Sequence, residues 1–153
     1  MPSLSAIFDI ANRVREAILA LPLIDRPPAF ADFPRGSCGW ASLLLGAVLK
    51  DEGIEGFVYI CGERPDGNPT RMASHAWLAQ GTLVVDITAD QFPDAPNSVI
   101  VANSSVWHIS FQEEHREPAD FRENLGPGTY PLLSAYSNVT KLLHASTQNL
   151  RRP

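Results

Sequence analysis

The sequence has 153 residues, 44% of them hydrophobic, and a formal net charge of −5 at pH 7. This length and composition predict one globular domain over residues 1–153, and no apolar run of about 18 residues is present that could span a membrane. An acidic balance without basic clusters argues against nucleic acid or an anionic membrane as the main partner, because both attract concentrated positive charge.

The first predicted element is an amphipathic helix. Apolar residues recur at three- and four-residue intervals from Ser5 to Leu21, and Pro22 follows. Charged side chains interrupt the apolar positions, a pattern that is not typical of a secretion signal. We therefore expect a cytoplasmic protein, or an effector delivered by a route without a signal peptide.

A proline-rich segment over residues 23–37 is predicted to cross the surface as an irregular loop. It leads to Cys38, where an almost entirely apolar stretch begins and continues to Lys50, before DEGIEG ends it. A helix that is apolar nearly all round is a buried helix. The stretch therefore predicts a central helix with a cysteine in its first turn.

The rest of the chain is predicted to be mainly strands. Short apolar runs predict strands at FVYICG, SVIVA and SSVWHISF and a hairpin at SHAWLAQGTLVVDIT, while SAYSNVTKLLHAS predicts a closing helix. Helices followed by mainly antiparallel strands indicate an α+β domain.

The predicted hairpin links two residues of chemical interest. If residues 80–81 form a two-residue turn, His75 lies directly opposite Asp86, and Trp77 lies opposite Val84. Directly opposed residues have Cβ atoms about 4.5–5.5 Å apart, close enough for a carboxylate to accept from an imidazole N–H. This register predicts a histidine–aspartate pair.

Cys38 is predicted to lie where a thiolate is stabilised. Free N–H groups and the positive end of the dipole at a helix N-terminus favour the ionised thiol, which is the nucleophilic form. Gly36 and Gly39 leave room for a substrate. His75 held by Asp86 would complete a nucleophile, a proton shuttle and an orienting carboxylate, and the N–H of Cys38 would be one oxyanion donor.

These segments resemble the transglutaminase-like and papain-like cysteine enzymes. The resemblance is carried by GSCGWASLLLGAVL, SHAWL and VVDIT, between about residues 36 and 90. It implies a papain-like or transglutaminase-like core, in which a cysteine opens a central helix packed on a mainly antiparallel sheet that carries histidine and aspartate. Papain-type enzymes place a glutamine shortly before the cysteine. DFPRGS contains none, and Gln91 is the candidate for the second oxyanion donor.

The functional prediction is a thiol-dependent amide hydrolase, either a peptidase or a deamidase, that uses Cys38, His75 and Asp86 and forms a thioester. The alternatives are an acyltransferase or transglutaminase with the same triad, and a catalytically inactive papain-like binding module. The expected substrate is a peptide or protein, with a glutamine or other amide side chain as the second option. We expect no cofactor and no metal, because phosphate-binding glycine motifs and closely spaced cysteine or histidine pairs are absent from the sequence.

The other histidines are expected at the protein surface: His108 on a sheet, His115 in a charged stretch and His144 near a helix C-terminus. His108 is at best a substitute base. Cys61 is predicted to be a structural thiol, with a disulfide to Cys38 as the alternative, and Asp90 is a rival for the orienting carboxylate.

Overall fold

The computed structural model describes residues 2–124, 126–127 and 129–152. The helices of the described chain are α1 (Leu4–Ala20), α2 (Cys38–Asp51), α3 (Val106–Ile109) and α4 (Thr129–Asn149). The strands are β1 (Val58–Pro65), β2 (Met72–Gln80), β3 (Leu83–Asp86), β4 (Ile100–Asn103) and β5 (Gln112–Pro118). The α+β class is confirmed. None of the described helices is both long and apolar enough to traverse a lipid bilayer.

The five strands form one sheet in the order β4-β3-β2-β1-β5, and all neighbouring strands are antiparallel. β2, which carries His75, is therefore the central strand. Helix α2 packs against β2, and α1 and α4 contact α2 and each other. The main hydrophobic core lies between these helices and one face of the sheet, and a second apolar cluster covers the other face around Trp77 and Phe111.

Helix α2 is the buried central helix that its composition predicts. Nine consecutive residues, from Ala41 to Leu49, are buried. Gly46 lies directly against the backbone of Ala119, where a Cβ atom would overlap the carbonyl group. Because Gly46 has no side chain, the backbone at Ala119 packs directly on α2.

The β2–β3 hairpin differs from the predicted register by two residues. Gln80 pairs with Leu83, so Gly81 and Thr82 form the turn. The physical reason lies in Gly81, whose φ of 59° belongs to the left-handed region that glycine adopts freely and glutamine does not. The predicted turn at residues 80–81 is wrong because it assigned the first turn position to glutamine.

The shift also changes the predicted cross-strand partners. Val84 lies opposite Ala79 rather than Trp77, and His75 lies outside the part of β2 that pairs with β3. A displacement of two residues preserves the alternation of faces, whereas a displacement of one would reverse it. His75 and Asp86 therefore remain on the same side of the sheet as diagonal neighbours.

The strand predicted at SSVWHISF, residues 104–111, is also wrong, because no part of this segment is a strand. Val106–Ile109 forms the one-turn helix α3, and the Ser105 side chain caps it by accepting from the N–H of His108. Strand β5 follows in the charged stretch that the sequence did not predict as a strand. Because β5 pairs only with β1 and most of its side chains are exposed, it needs no apolar alternation.

Replacing Gly46 by alanine should destabilise the protein, although alanine is the better helix former by about 1 kcal/mol. The new Cβ would overlap the backbone of Ala119, so α2 or the facing segment must move. We expect the free energy of unfolding to fall by about 1–3 kcal/mol, measured by urea denaturation. An unchanged or increased stability would show that this contact is loose.

Candidate active site

Cys38 is the first residue of α2 and is half-buried. The preceding Ser37 makes no side-chain cap, because its hydroxyl contacts the carbonyl oxygens of Ala29 at 2.7 Å and Arg35 at 3.2 Å. The N–H groups of the first turn therefore have no serine oxygen as acceptor. The positive end of the helix faces the thiol without a side-chain cap.

His75 and Asp86 form the hydrogen bond that the sequence predicts. Nε2 of His75 lies 2.6 Å from Oδ2 of Asp86, and both side chains are fully buried. The other carboxylate oxygen accepts from the backbone N–H of Thr88 at 2.8 Å. Because Asp86 occupies Nε2, Nδ1 is the nitrogen that His75 offers to the rest of the site.

Three groups lie close enough to the thiol of Cys38 to lower its pKa: the imidazole of His75, the side chain of Gln91 and the backbone of Ala76. The side-chain nitrogen of Gln91 also lies 3.0 Å from Nδ1 of His75. The structure thus brings together all four residues for which the sequence predicts a role in the site.

The short length of β3 allows these residues to lie close together. β3 pairs with β2 only over residues 78–80, so the preceding backbone of β2 is free to contact α2. The carbonyl of Ala76 accepts from the hydroxyl of Ser42 at 3.3 Å, and the backbone of Ala76 also lowers the pKa of the nearby Cys38 thiol. Since Cys38 and Ser42 are four residues apart on α2, they lie on the same face of the helix.

The ionisation of the site follows from these contacts. Burial raises the pKa of Cys38, but His75, Gln91 and the backbone of Ala76 together outweigh burial and leave the pKa below that of an ordinary thiol. Burial lowers the pKa of His75, but bonds to Asp86 and Cys38 reverse this and raise the pKa to about 9. Both shifts act in the direction of a thiolate–imidazolium pair.

The carboxyl group of Asp86 is ionised at neutral pH. Burial raises the pKa of its carboxyl group, but hydrogen bonds from His108 and His75 outweigh burial and lower the pKa to about 2. The stability from this pKa shift is present above the ordinary value of 3.8 and is lost as the pH falls towards 2. The stability from His75 is present below 6.5 and is lost as the pH rises through about 9.

Asp90, the rival candidate for the orienting carboxylate, binds Arg15 and not His75. Its carboxylate binds both terminal nitrogens of Arg15, at 2.9 and 2.7 Å, and Arg15 also donates to the carbonyl of Ile87. This ion pair ties helix α1 to the segment after β3. The imidazole of His75 has Asp86, and not Asp90, as its carboxylate partner.

His108 is not the sheet-surface residue that the sequence predicts. It lies in α3 with 3% of its side chain exposed, and its Nε2 is 2.9 Å from Oδ2 of Asp86. The available signal was the pair of serines before VWHI, because Ser105 is a good N-cap residue. The apolar residues on either side of His108 favoured a strand prediction instead.

His115 and His144 both lie at the protein surface. His115 is exposed and pairs with Glu117 at 2.8 Å, and His144 is exposed on α4. Both cysteines are free thiols. Burial raises the pKa of Cys61, and negative charge on Cys38 and Glu63 raises it further.

Aromatic rings surround His75. Ring centroids lie between 5.1 and 6.1 Å from that of His75 for five neighbours: Trp77, Phe92, Trp107, His108 and Phe111. The guanidinium of Arg64 lies 4.4 Å from the centroid of Phe111, and Asp94 binds it at 2.7 Å. These rings keep the imidazole in one orientation and limit the access of water to it.

His75, Asp86 and His108 also have ligand atoms within 4.8 Å of one another, as a metal site requires. Their separations of 2.6 and 2.9 Å are those of hydrogen bonds. Two ligand atoms on a tetrahedral zinc ion, each about 2.1 Å from the metal, are about 3.4 Å apart. The arrangement fits a carboxylate that accepts from two imidazoles better than it fits a metal centre.

Comparisons of the chain with protein-family models, with curated proteins and with solved structures found no match. The resemblance to transglutaminase-like and papain-like enzymes therefore rests on the three sequence segments that suggested it.

Iodoacetamide should modify Cys38 much faster than Cys61. We expect a rate ratio of about tenfold or more at about pH 6 to 7, because the thiolate is the reactive form. The modified residue is identified by peptide mass spectrometry. Cys61→Ala should keep the fast phase, and Cys38→Ala should remove it. Equal rates at the two cysteines would contradict the inferred thiolate.

Asp86→Asn should slow the iodoacetamide reaction of Cys38 by about tenfold or more, because the charge that stabilises the imidazolium, and through it the thiolate, is lost. Asp90→Asn is the matched control, since it removes the same charge four residues away from a carboxylate that binds Arg15. It should change that rate by less than about threefold. Circular dichroism checks that both variants are folded. Equal losses would show that Asp86 does not orient His75.

Proposed function

We propose that this protein is a thiol-dependent amide hydrolase, a peptidase or deamidase, in which Cys38 forms a thioester with the acyl part of its substrate. One observation carries the proposal: Nε2 of His75 lies 2.6 Å from the Asp86 carboxylate, and the thiol of Cys38 lies beside the same imidazole, which lowers the pKa of the thiol. The three groups supply a nucleophile, a proton shuttle and an orienting charge.

In the first half of the reaction the thiolate of Cys38 attacks the carbonyl carbon of the amide. The carbonyl oxygen becomes an oxyanion, and the N–H of Cys38 and the amide of Gln91 are the donors available beside the thiol. The imidazolium of His75 then gives its Nδ1 proton to the departing nitrogen as the C–N bond breaks. A neutral amine or ammonia leaves, and the acyl group remains as a thioester.

In the second half, water replaces the leaving group. Neutral His75 takes a proton from water through Nδ1 while the water oxygen attacks the thioester carbonyl. The C–S bond breaks, the acid is released, and the thiolate–imidazolium pair forms again. Asp86 keeps the proton on Nε2 throughout and remains ionised.

Two features support an amide hydrolase over an inactive binding module. A module without catalysis has no need for a thiol with a lowered pKa, yet His75, Gln91 and Ala76 all stabilise the thiolate of Cys38. Asp86 is a buried charge, and such a charge costs stability unless it is fully bonded. Both features match the papain-like and transglutaminase-like arrangement that the resemblance predicts. An amine in place of water would give acyl transfer from the same thioester.

A chromogenic activated ester, p-nitrophenyl acetate, tests the proposal without knowledge of the natural substrate. Wild-type protein should release one equivalent of nitrophenol in a rapid phase and gain one acetyl group in its intact mass. Hydroxylamine should remove the group, since it cleaves thioesters. Cys38→Ala should show neither effect, and Cys61→Ala should show both.

Adding an amine to the same assay separates the two fates of the thioester. A hydrolase should release acetate at a rate that the amine does not change. An acyltransferase should release the acetylated amine, with a higher turnover rate. A wild-type protein without an acyl adduct on Cys38 would overturn the proposed function.

A further inference from the structure

His108 is a second histidine bound to Asp86. Its Nε2 lies 2.9 Å from Oδ2, the oxygen that also binds Nε2 of His75 at 2.6 Å. Its side chain is buried, with 3% of its surface exposed to solvent. The reaction steps above give His108 no proton to move, so its place beside the carboxylate needs another explanation.

The two ring nitrogens of His108 have different partners, Asp86 at Nε2 and Ser105 at Nδ1. The oxygen of Ser105 accepts from the backbone N–H of His108 at 3.4 Å and lies 2.7 Å from Nδ1. An ionised carboxylate can only accept, so Nε2 of His108, which lies 2.9 Å from Asp86, carries a proton, and Nδ1 of the neutral imidazole accepts from the Ser105 hydroxyl. His108 then carries its proton on Nε2 and donates it to Asp86.

Asp86 has no acceptor position left unused. Oδ2 accepts from His75 and His108, while Oδ1 accepts from the N–H of Thr88 at 2.8 Å and from its hydroxyl at 3.3 Å. An ionised carboxylate has about four lone-pair positions, and these four donors fill them. Rotation of the carboxylate would break at least one bond in surroundings where water cannot replace it.

We propose that His108 is a positioning residue for the reaction of Cys38, which acts through Asp86; this inference rests on the proposed function. Its donation to Oδ2 fixes the plane of the carboxylate and satisfies its charge in a fully buried place. His75 therefore keeps its proton on Nε2 and presents Nδ1 to the thiol. Without this donor, the carboxylate can turn towards other partners, and His75 can adopt the tautomer that protonates Nδ1 in its neutral form.

Two amide substitutions separate this role from simple packing. His108→Gln can place its nitrogen close to the position of Nε2 and can still donate to Asp86. His108→Asn is one methylene shorter, places its nitrogen near the position of Nδ1 and cannot reach the carboxylate. Both substitutions remove the ring and both are uncharged, so the difference between them reports on the hydrogen bond.

We expect the glutamine variant to keep the kcat for p-nitrophenyl acetate within about tenfold of wild type, and the asparagine variant to lose about 10²-fold or more. KM should change little in either. Nitrogen-15 spectra of the imidazoles supply a readout that packing alone would not move. His75 should carry its neutral-form proton on Nε2 in wild type and the glutamine variant, and partly on Nδ1 in the asparagine variant.

Equal kcat and equal tautomers in the two variants would overturn the role of His108, while an acyl adduct on Cys38 in the same proteins would leave the proposed function intact. Absence of the adduct in wild type would overturn both. If the asparagine variant does not fold, the wild-type spectrum decides. A His108 with its neutral-form proton on Nδ1 would overturn the proposal, and a proton on Nε2 together with an active glutamine variant would support it.

Discussion

The rest of the site depends on one constraint, the cost of keeping the Asp86 carboxylate ionised inside the protein. A buried charge without hydrogen bonds would be neutralised by protonation. Here the imidazoles of His108 and His75 hold the pKa of the carboxyl group at about 2 despite complete burial, and Thr88 donates to its other oxygen. The ionised carboxylate in turn raises the pKa of His75, and the charge on His75 lowers the pKa of Cys38.

The fold supplies the three parts of this chain from different layers. The thiol comes from the first turn of α2 on the helical side of the sheet, and the imidazole comes from the central strand β2. The two groups lie close together because β3 ends at Asp86 and does not pair with β2 at Ala76. The backbone of Ala76 can therefore contact α2. A carboxylate at the last residue of a short strand can therefore serve a side chain that lies beyond the paired region.

Local patterns in the sequence were enough to predict the central helix, the cysteine at its start and the common face of His75 and Asp86. Burial follows from the composition of α2, and strand alternation is unaffected by a shift of two residues. The exact partners could not be predicted, because the turn depends on the conformation of Gly81. The place of His108 could not be predicted either, because a four-residue helix is stabilised by its contacts with Ser105 and Asp86 rather than by its own composition.

The outer edge of the sheet has a consequence for how the protein meets other chains. Strand β5 presents exposed charges of both signs, including the pair between Arg116 and Glu113, and it pairs on only one side. A second chain that added a strand there would have to desolvate these charges along its whole length. These charges protect the β5 edge of the sheet from the intermolecular strand pairing that leads to fibrils.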